Sequence, residues 1–249
     1  MSKVAKIVFK SKVGNDSENL DLDVLDIVQN LYCNGQILKD FIIEEKEYEF
    51  QATVALTDDD ALRKEYWPLE IKEQTDRFII SWVIGEEELL NFSIDSCQDK
   101  SSFYILNCWP NIISPIYCGD CLEEIPLIRF PELNLEERYE ILRLRNLHYS
   151  FIELEDYDKE YASFQLNNLD SKLVKSSLEI REKLELKLNK PVYYYLSTEK
   201  NVTTCPKCGG KLDVIPIDIT KYSSYSNIDK VCKKCNLAFL TNKKEKDGE

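Results

Sequence analysis

The amino-acid sequence predicts an α+β fold, and three observations carry that prediction. The chain opens with a strand, a helix and further strands, an order typical of a largely antiparallel sheet with helices packed on it. Near residue 134 the pattern changes to the spacing of a long helical hairpin. Towards the end, closely spaced cysteine pairs replace the hydrophobic periodicity. We therefore expect three different kinds of structure in succession.

The N-terminal elements follow from local patterns. Residues 4–9 predict a strand. The segment "SENLDLDVLDIVQNLYCNG" places apolar residues at helical spacing and ends at Asn34-Gly35, where glycine tolerates a left-handed backbone. "EYEFQATVAL" alternates apolar and polar residues and predicts a half-buried strand. "RFIISWVI" and "SSFYILNCW" predict further strands.

Two long helices are expected after residue 134. Asn134 followed by Glu137 predicts a capping box at the start of the first helix. The apolar stripe of that helix is predicted to comprise Leu135, Tyr139, Leu142, Leu147, Phe151 and Leu154. The second helix is expected over about residues 162–188, and a strand over residues 192–196 after Pro191. The charged residues of both helices predict solvated outer faces.

These changes divide the chain into four predicted parts. Residues 1–133 form an acidic α+β domain. Residues 134–196 form the helical hairpin and a strand packed on that domain. Residues 197–240 form a cysteine-bearing segment, and residues 241–249 a disordered tail.

The charge of the chain is unevenly distributed. The 249 residues carry a net charge of −13. From Ser197 to the C-terminus ten lysines stand against seven acidic residues, so this segment is +3 and the remainder −16. An acidic surface repels nucleic acid and attracts basic proteins.

Missing motifs exclude several classes of enzyme. The seven glycines are spaced so that neither GxGxxG nor a phosphate-binding loop can occur. The single histidine, His148, excludes HExxH and any site that needs two imidazoles. We expect a protein that is not an enzyme.

The cysteines predict a reducing compartment. The N-terminus "MSKVAKIVFKSK" has no apolar core of signal-peptide length, and no window approaches 18 apolar residues. Nine cysteines in such a chain indicate metal ligands or redox thiols before disulfides. We expect a cytoplasmic location.

The most specific motif is "CPKCGG" followed by "CKKC". Cysteines two residues apart can reach one tetrahedral ion from a tight turn, and two such turns complete a Cys₄ zinc ribbon. The predicted ligands are Cys205, Cys208, Cys232 and Cys235. A closed Cys₄ site has no open coordination position, so the expected Zn²⁺ is structural.

The order of these segments resembles a known family. "SPIYCGDCLEEIPLIRFPEL", two long helices, "KPVYYYL" and "CPKCGG…CKKC" are similar to a bacterial family of unknown function. Its members are described as zinc-ribbon-containing candidates for nucleic-acid binding. The resemblance covers about residues 112–240 and implies a cytoplasmic bacterial protein that holds zinc and has no established enzyme activity.

The pair Cys118 and Cys121 lies outside the ribbon, and three interpretations remain open. The pair could bind a second metal ion together with two distant ligands, drawn from Cys33, Cys97, Cys108 and His148. It could equally be a buried turn without a ligand. A redox dithiol is the least favoured of the three, because "CLEEIPLIRFP" is a poor helix and thioredoxin-like motifs open a helix.

The sequence favours a binding protein whose partner is a basic protein. An immunity or antitoxin protein that covers a basic toxin is one concrete form, since charge complementarity speeds association. The alternative is a nucleic-acid-binding regulator that uses the ribbon and the lysine-rich tail. No membrane partner is expected.

Overall fold

The structure is a computed structural model that describes residues 2–12, 20–46, 49–90, 95–105, 113–197, 202–215 and 228–240. The fold is α+β, with an N-terminal antiparallel sheet, helices and a C-terminal cysteine cluster, which confirms the predicted fold class. The predicted tail (241–249) and Cys108 lie outside the described residues.

The chain forms two compact units. Unit 1 comprises Met1–Ile94, Ile112–Ser114 and Ile125–Leu142, and unit 2 comprises Asp95–Asn111, Pro115–Glu124 and Arg143–Glu249. The four-part division expected from the sequence stays a prediction.

Unit 1 is built on a four-stranded antiparallel sheet in the order β2-β3-β1-β4. This strand order and the βαββαβ element order are those of ferredoxin-like folds. The elements are β1 (Ser2–Ser11), α1 (Leu20–Cys33), β2 (Ile37–Lys46), β3 (Glu49–Leu56), α2 (Leu69–Gln74) and β4 (Phe78–Leu90).

The core of unit 1 lies between one face of this sheet and α1. Alternation along β1 turns Ala5, Ile7 and Phe9 inward, opposite the buried stripe of α1. As predicted, α1 stops before Asn34-Gly35: its last residue is Cys33, and Gly35 has a φ of +76°, the left-handed conformation that ends helices. The structure therefore confirms the end of α1 that the sequence predicts.

Unit 2 is built on a six-stranded sheet in the order β6-β5-β7-β10-β9-β8. Strands β5, β7 and β10 run parallel, and the other pairs are antiparallel. The strands are β5 (Phe103–Ile105), β6 (Ile116–Cys118), β7 (Val192–Tyr195), β8 (Asp213–Val214), β9 (Ile228–Cys232) and β10 (Leu237–Leu240). Its helices are α4 (Lys159–Asn167) and α5 (Lys172–Leu188), and α3 (Leu135–Leu154) contributes residues to both units.

The second predicted helix is two helices. The chain leaves helical geometry at Asn168, whose backbone is extended, and starts again when the Ser171 side chain accepts the Val174 amide at 3.1 Å. Asp158 caps α4 in the same way through the Tyr161 amide. Serine and aspartate caps satisfy the free amides of a first turn, so each starts a helix of its own.

The predicted stripe of α3 is wrong in part, although its capping box is confirmed. Asn134 and Glu137 exchange side-chain and backbone hydrogen bonds of 2.9 and 3.0 Å. Tyr139 and Leu147 are 42% and 46% exposed, whereas the buried residues include Arg138, Ile141, Leu142, Leu144, Arg145 and His148. Hydrogen bonds make this polar burial tolerable: Arg138, for example, donates to the Phe130 carbonyl at 2.8 Å. Among the described residues, no helix is long and apolar enough to cross a bilayer.

Candidate metal centres

The first turn of the ribbon is shaped to present two sulfurs. The Gly209 amide donates to the Cys205 carbonyl at 2.8 Å, and the Cys205 amide donates to the Gly210 carbonyl at 2.8 Å. Gly209 has a φ of +68°, which side chains rarely adopt and glycine adopts at no steric cost. This turn directs the side chains of Cys205 and Cys208 to one point.

The second turn has the same handedness without a glycine. Asn236 follows Cys235 and has a φ of +50°. Asparagine is the residue that most readily replaces glycine in this conformation. The Cys235 amide donates to the Cys232 carbonyl at 3.2 Å, and Cys232 ends β9.

The four predicted ribbon ligands are brought together. Their sulfur atoms all lie within 4.8 Å of one another, and those of Cys208 and Cys232 are 3.7 Å apart. A tetrahedral zinc site with zinc–sulfur bonds of about 2.3 Å has sulfur–sulfur edges of about 3.8 Å. The arrangement is that of a zinc ribbon, and the four residues fit a Zn²⁺ ion.

The thiols of this cluster differ in acidity. The Gly210 amide, which hydrogen-bonds to the sulfur, lowers the pKa of Cys208 to about 7. Burial raises the pKa of Cys232, and it raises that of Cys235 to about 12. Zn²⁺ would hold all four as thiolates and supply folding free energy to the segments that carry them.

The ribbon is continuous with the rest of unit 2. Strand β10 pairs with β9 on one side and with β7 on the other, and the Tyr194 amide donates to the Asn236 carbonyl at 2.9 Å. The Asn236 side chain also donates to Glu185 of α5 at 2.6 Å. The second turn is thus held by a strand and by a helix.

Cys118 and Cys121 lie at the other end of the same sheet, beside Asp95 and Cys97. One ligand atom from each of these four residues lies within 4.8 Å of the other three. Both cysteine clusters have donor sets that could bind a metal ion. Of the distant ligands considered from the sequence, Cys97 belongs to this cluster. His148 does not, because its ring nitrogens contact the Leu144 carbonyl and the Tyr194 hydroxyl instead. Cys33 ends α1 in unit 1 and Cys108 lies outside the described residues.

Burial and hydrogen bonds set the protonation of this cluster. Burial raises the pKa of Cys118 to about 11 and also raises that of Cys121. Burial raises the pKa of Asp95 as well, but hydrogen bonds from Lys100 and the two cysteines outweigh it, so that pKa is lowered. Without a bound metal ion, these shifts favour an ionised carboxylate beside protonated thiols.

Asp95 is the residue that sequence reasoning missed. Its side chain is fully buried and lies 2.8 Å from the Lys100 ammonium. The only local signal is "DSC", in which an acidic residue stands two positions before Cys97. Aspartate is common in exposed turns, so this spacing has no specificity until the fold brings Cys118 and Cys121 beside it.

The α+β fold and the ribbon arrangement of Cys205, Cys208, Cys232 and Cys235 define the class of protein: an α+β protein with a C-terminal zinc-ribbon-type cysteine cluster. Residues 98–197 match the family model described as "Domain of unknown function (DUF2310)". The matched segment holds Cys118 and Cys121 and ends before the ribbon. No curated protein and no solved structure matches the chain.

Proposed function

We propose that this chain is a non-enzymatic binding protein with a structural zinc ribbon, and that its partner is a basic protein. The ribbon presents four thiols for four tetrahedral positions, which leaves no position for a substrate. The proposal places the protein in the reducing cytoplasm, where such thiols stay available to zinc.

A groove in unit 2 carries this proposal. It has a volume of about 660 Å³ and lies between α4, the segment after it and the start of the ribbon at Val202 and Pro206. Phe164, Leu169 and Leu196 give it an apolar lining. Glu160 and Asp170 add two carboxylates, and no described lining residue is basic.

The chemistry of the groove suits a peptide that carries both a cation and an apolar side chain. Phe164 is 45% exposed, and two tyrosines that precede it in the sequence, Tyr157 and Tyr161, are 89% and 50% exposed. Exposed aromatic residues are enriched among the anchors of protein interfaces. Asp170 also pairs with Lys175 at 3.5 Å, but a surface pair of this kind is weak and leaves the carboxylate accessible.

The charge of unit 1 supports the same class of partner. Unit 1 contains 24 acidic and 12 basic residues, whereas unit 2 contains 21 and 20. Asp58, Asp59 and Asp60 form ion pairs with Arg129, Lys3 and Arg63, so their charge is offset locally. The exposed carboxylates on the edge strand β2, at Asp40, Glu44 and Glu45, form no ion pair among the described residues.

An immunity or antitoxin protein is the specific form that we propose. An acidic surface steers a basic toxin to it and raises the association rate, because opposite charges attract over several ångströms at physiological salt. A toxin that binds phosphate groups has a basic active site, which such a surface would block.

Lysines on the ribbon favour a second candidate, a nucleic-acid-binding regulator. Lys207, Lys211, Lys233 and Lys234 are exposed, and within the described part of the chain only Lys233 of these four has an acidic partner, Asp213 at 3.5 Å. The face of the four-stranded sheet that points away from its core argues against this candidate. In the central strands β1 and β3 that face carries Lys6, Val8, Gln51 and Thr53, of which Gln51 is buried, and no aromatic residue there could stack on bases.

The first prediction tests the partner class by selecting random displayed peptides on the zinc-loaded full chain. We expect selected peptides to combine Lys or Arg with an apolar anchor. The double variant Glu160→Gln/Asp170→Asn should bind these peptides about fivefold more weakly, since it removes two exposed carboxylates that would pair with the basic residues of the peptide. Glu153→Gln/Asp156→Asn makes the same change of charge at exposed positions outside the groove and should bind as the wild type does.

Duplex DNA and single-stranded RNA of random sequence are the competing probes. Submicromolar binding with a steep salt dependence, lost when residues 197–249 are removed, would favour the regulator instead. Selected peptides without basic residues would also contradict the proposal.

A further inference from the structure

We propose that Asp95, Cys97, Cys118 and Cys121 form a second zinc site, separate from the ribbon. Three thiols and a carboxylate provide four donors within 4.8 Å of one another. Thiolate-rich tetrahedral sets select zinc over magnesium or calcium, and aspartate is an accepted fourth ligand of zinc.

The turn from Cys118 to Cys121 repeats the backbone of the first ribbon turn. The Leu122 amide donates to the Cys118 carbonyl at 3.0 Å, as the Gly209 amide does to the Cys205 carbonyl at 2.8 Å. Leu122 has a φ of +56°, close to the values of Gly209 and Asn236. All three Cys-x-x-Cys turns of the described chain therefore place a left-handed residue after the second cysteine.

Leucine is conformationally unfavourable at this position. Its Cβ is crowded by the carbonyl in the left-handed region, which makes this backbone conformation unfavourable for leucine. Its side chain is buried in the core of the six-stranded sheet with Tyr104 and Tyr117, which offsets that cost. The surrounding structure thus enforces the backbone shape that presents two sulfurs to one ion.

The Asp95 carboxylate is placed at the same point from the other side. Its Oδ1 accepts the Cys97 amide and the Cys121 thiol, each at 3.1 Å, and its Oδ2 faces Lys100. The Asp95 amide donates to the Glu124 carbonyl at 3.0 Å, which fixes this segment beside the turn. The ion pair with Lys100 satisfies one oxygen, but it does not account for three sulfurs that lie within 4.8 Å of an oxygen of this carboxylate.

The site consists of two segments, one with Asp95 and Cys97 and the other with Cys118 and Cys121. Hydrogen bonds that do not require a metal ion hold these segments together. The Gly119 amide donates to the Ser102 carbonyl at 2.8 Å, and a Cβ on Gly119 would lie 2.7 Å from that carbonyl oxygen. The Asp120 carboxylate accepts the Ser101 amide at 2.7 Å. Only glycine permits this approach, so the site is preorganised.

The two clusters cannot share one ion. Cys118 lies on β6 and Cys232 on β9, and three strands, β5, β7 and β10, lie between them. At about 4.8 Å per strand spacing the sites are roughly 19 Å apart across the sheet. Each must therefore bind its own zinc ion.

Metal content of the purified full chain tests the proposal. We expect two zinc ions per chain, and one after Cys118→Ser, Cys97→Ser or Asp95→Asn. The matched control is Cys33→Ser, which removes a partly buried thiol outside both clusters and should leave two. The chelator-labile ion should be the second one, because a carboxylate is a harder ligand for zinc than a thiolate and Lys100 competes for it.

Zinc X-ray absorption on the wild type keeps the test valid if a variant does not fold. If both sites are filled, the two zinc ions together should have seven sulfur ligands and one oxygen ligand. The ribbon alone would show only sulfur ligands. One zinc per chain that Cys118→Ser leaves unchanged would overturn the proposal. A Cys118–Cys121 disulfide in the protein as purified, or iron in place of the second zinc, would overturn it as well.

Discussion

The only histidine of the chain shows how a single buried side chain is specified. The Nδ1 atom of His148 lies 2.9 Å from the Leu144 carbonyl, and Nε2 lies 3.2 Å from the Tyr194 hydroxyl. A carbonyl oxygen can only accept, so Nδ1 carries the proton and Nε2 accepts from Tyr194. The neutral ring therefore satisfies both partners.

The second prediction is that His148 stays neutral at pH values well below those at which histidine side chains usually become protonated. Burial lowers its pKa to about 4, because the low-dielectric interior disfavours the cation. The neutral ring's contribution to stability is present above about pH 6.5 and is lost as pH falls towards 4. At pH 5.5, where a free imidazole is about nine-tenths protonated, its NMR resonance should remain that of the neutral ring. The denatured chain, titrating near 6.5, is the control, and a native midpoint near 6.5 would contradict the burial.

At this scale the sequence predicts residues whose chemistry is local. The spacing of the ribbon cysteines is specific because a Cys-x-x-Cys turn can hold two ligands without help from the rest of the chain. Asp95 could not be predicted, since its role depends on pairing between β5 and β6, which brings its segment to Cys118. The same holds for the choice of Cys97 over His148.

Among the elements, α5 has a role beyond packing, because it positions the second ribbon turn. Arg181 is buried and donates to Glu182 at 2.9 Å and to Glu185 at 2.6 Å. Glu185 then accepts the Asn236 side chain at 2.6 Å, next to Cys235. This series of charged and polar groups orients a residue that directly follows a candidate metal ligand.

The third prediction separates this role from a general effect of charge. Glu185→Ala should lower the zinc affinity of the ribbon about tenfold, because outer contacts that orient a metal site typically contribute this much. Glu182→Ala removes the other carboxylate of Arg181 but does not touch Asn236, so it should leave that affinity unchanged. Competition with a chelator of known affinity measures both, and equal losses would contradict the role of Glu185.

Element boundaries were predictable where a local signal sets them. The capping box at Asn134 and the left-handed Gly35 depend on neighbouring residues alone, and both are present. The break between α4 and α5 was missed because the apolar periodicity continues through it, although Ser171 caps a new helix. The stripe of α3 was misassigned because Arg138 and Arg145 are buried in positions that periodicity gives to apolar residues.

For the whole molecule, the sequence predicts the α+β fold class but not which strands pair with one another. Strand order β2-β3-β1-β4 and the joining of the ribbon to β7 are long-range pairings, and a pattern with a period of two carries no information about partners. The ribbon strands form one edge of a six-stranded sheet, and the other edge of that sheet carries the second cysteine cluster.

The fourth prediction follows from that continuity. Cys205→Ser should remove the ribbon zinc, and with it the folding free energy that the metal supplies. Hydrogen exchange should then lose protection in β9 and β10 and also in β7, because the parallel pairing of Leu237 with Tyr194 depends on β10. Strands β1 to β4 belong to the other unit and should keep their protection.

Lys207→Ala is the control for this prediction, since it changes the exposed middle of the same turn and removes no sulfur. It should leave both zinc content and exchange as they are in the wild type. Loss of protection confined to residues 202–240 would mean that β7 is held without the ribbon. Equal loss in β1 to β4 would mean that the two units unfold together, so the three patterns distinguish whether zinc stabilises the ribbon, the six-stranded sheet or the whole chain.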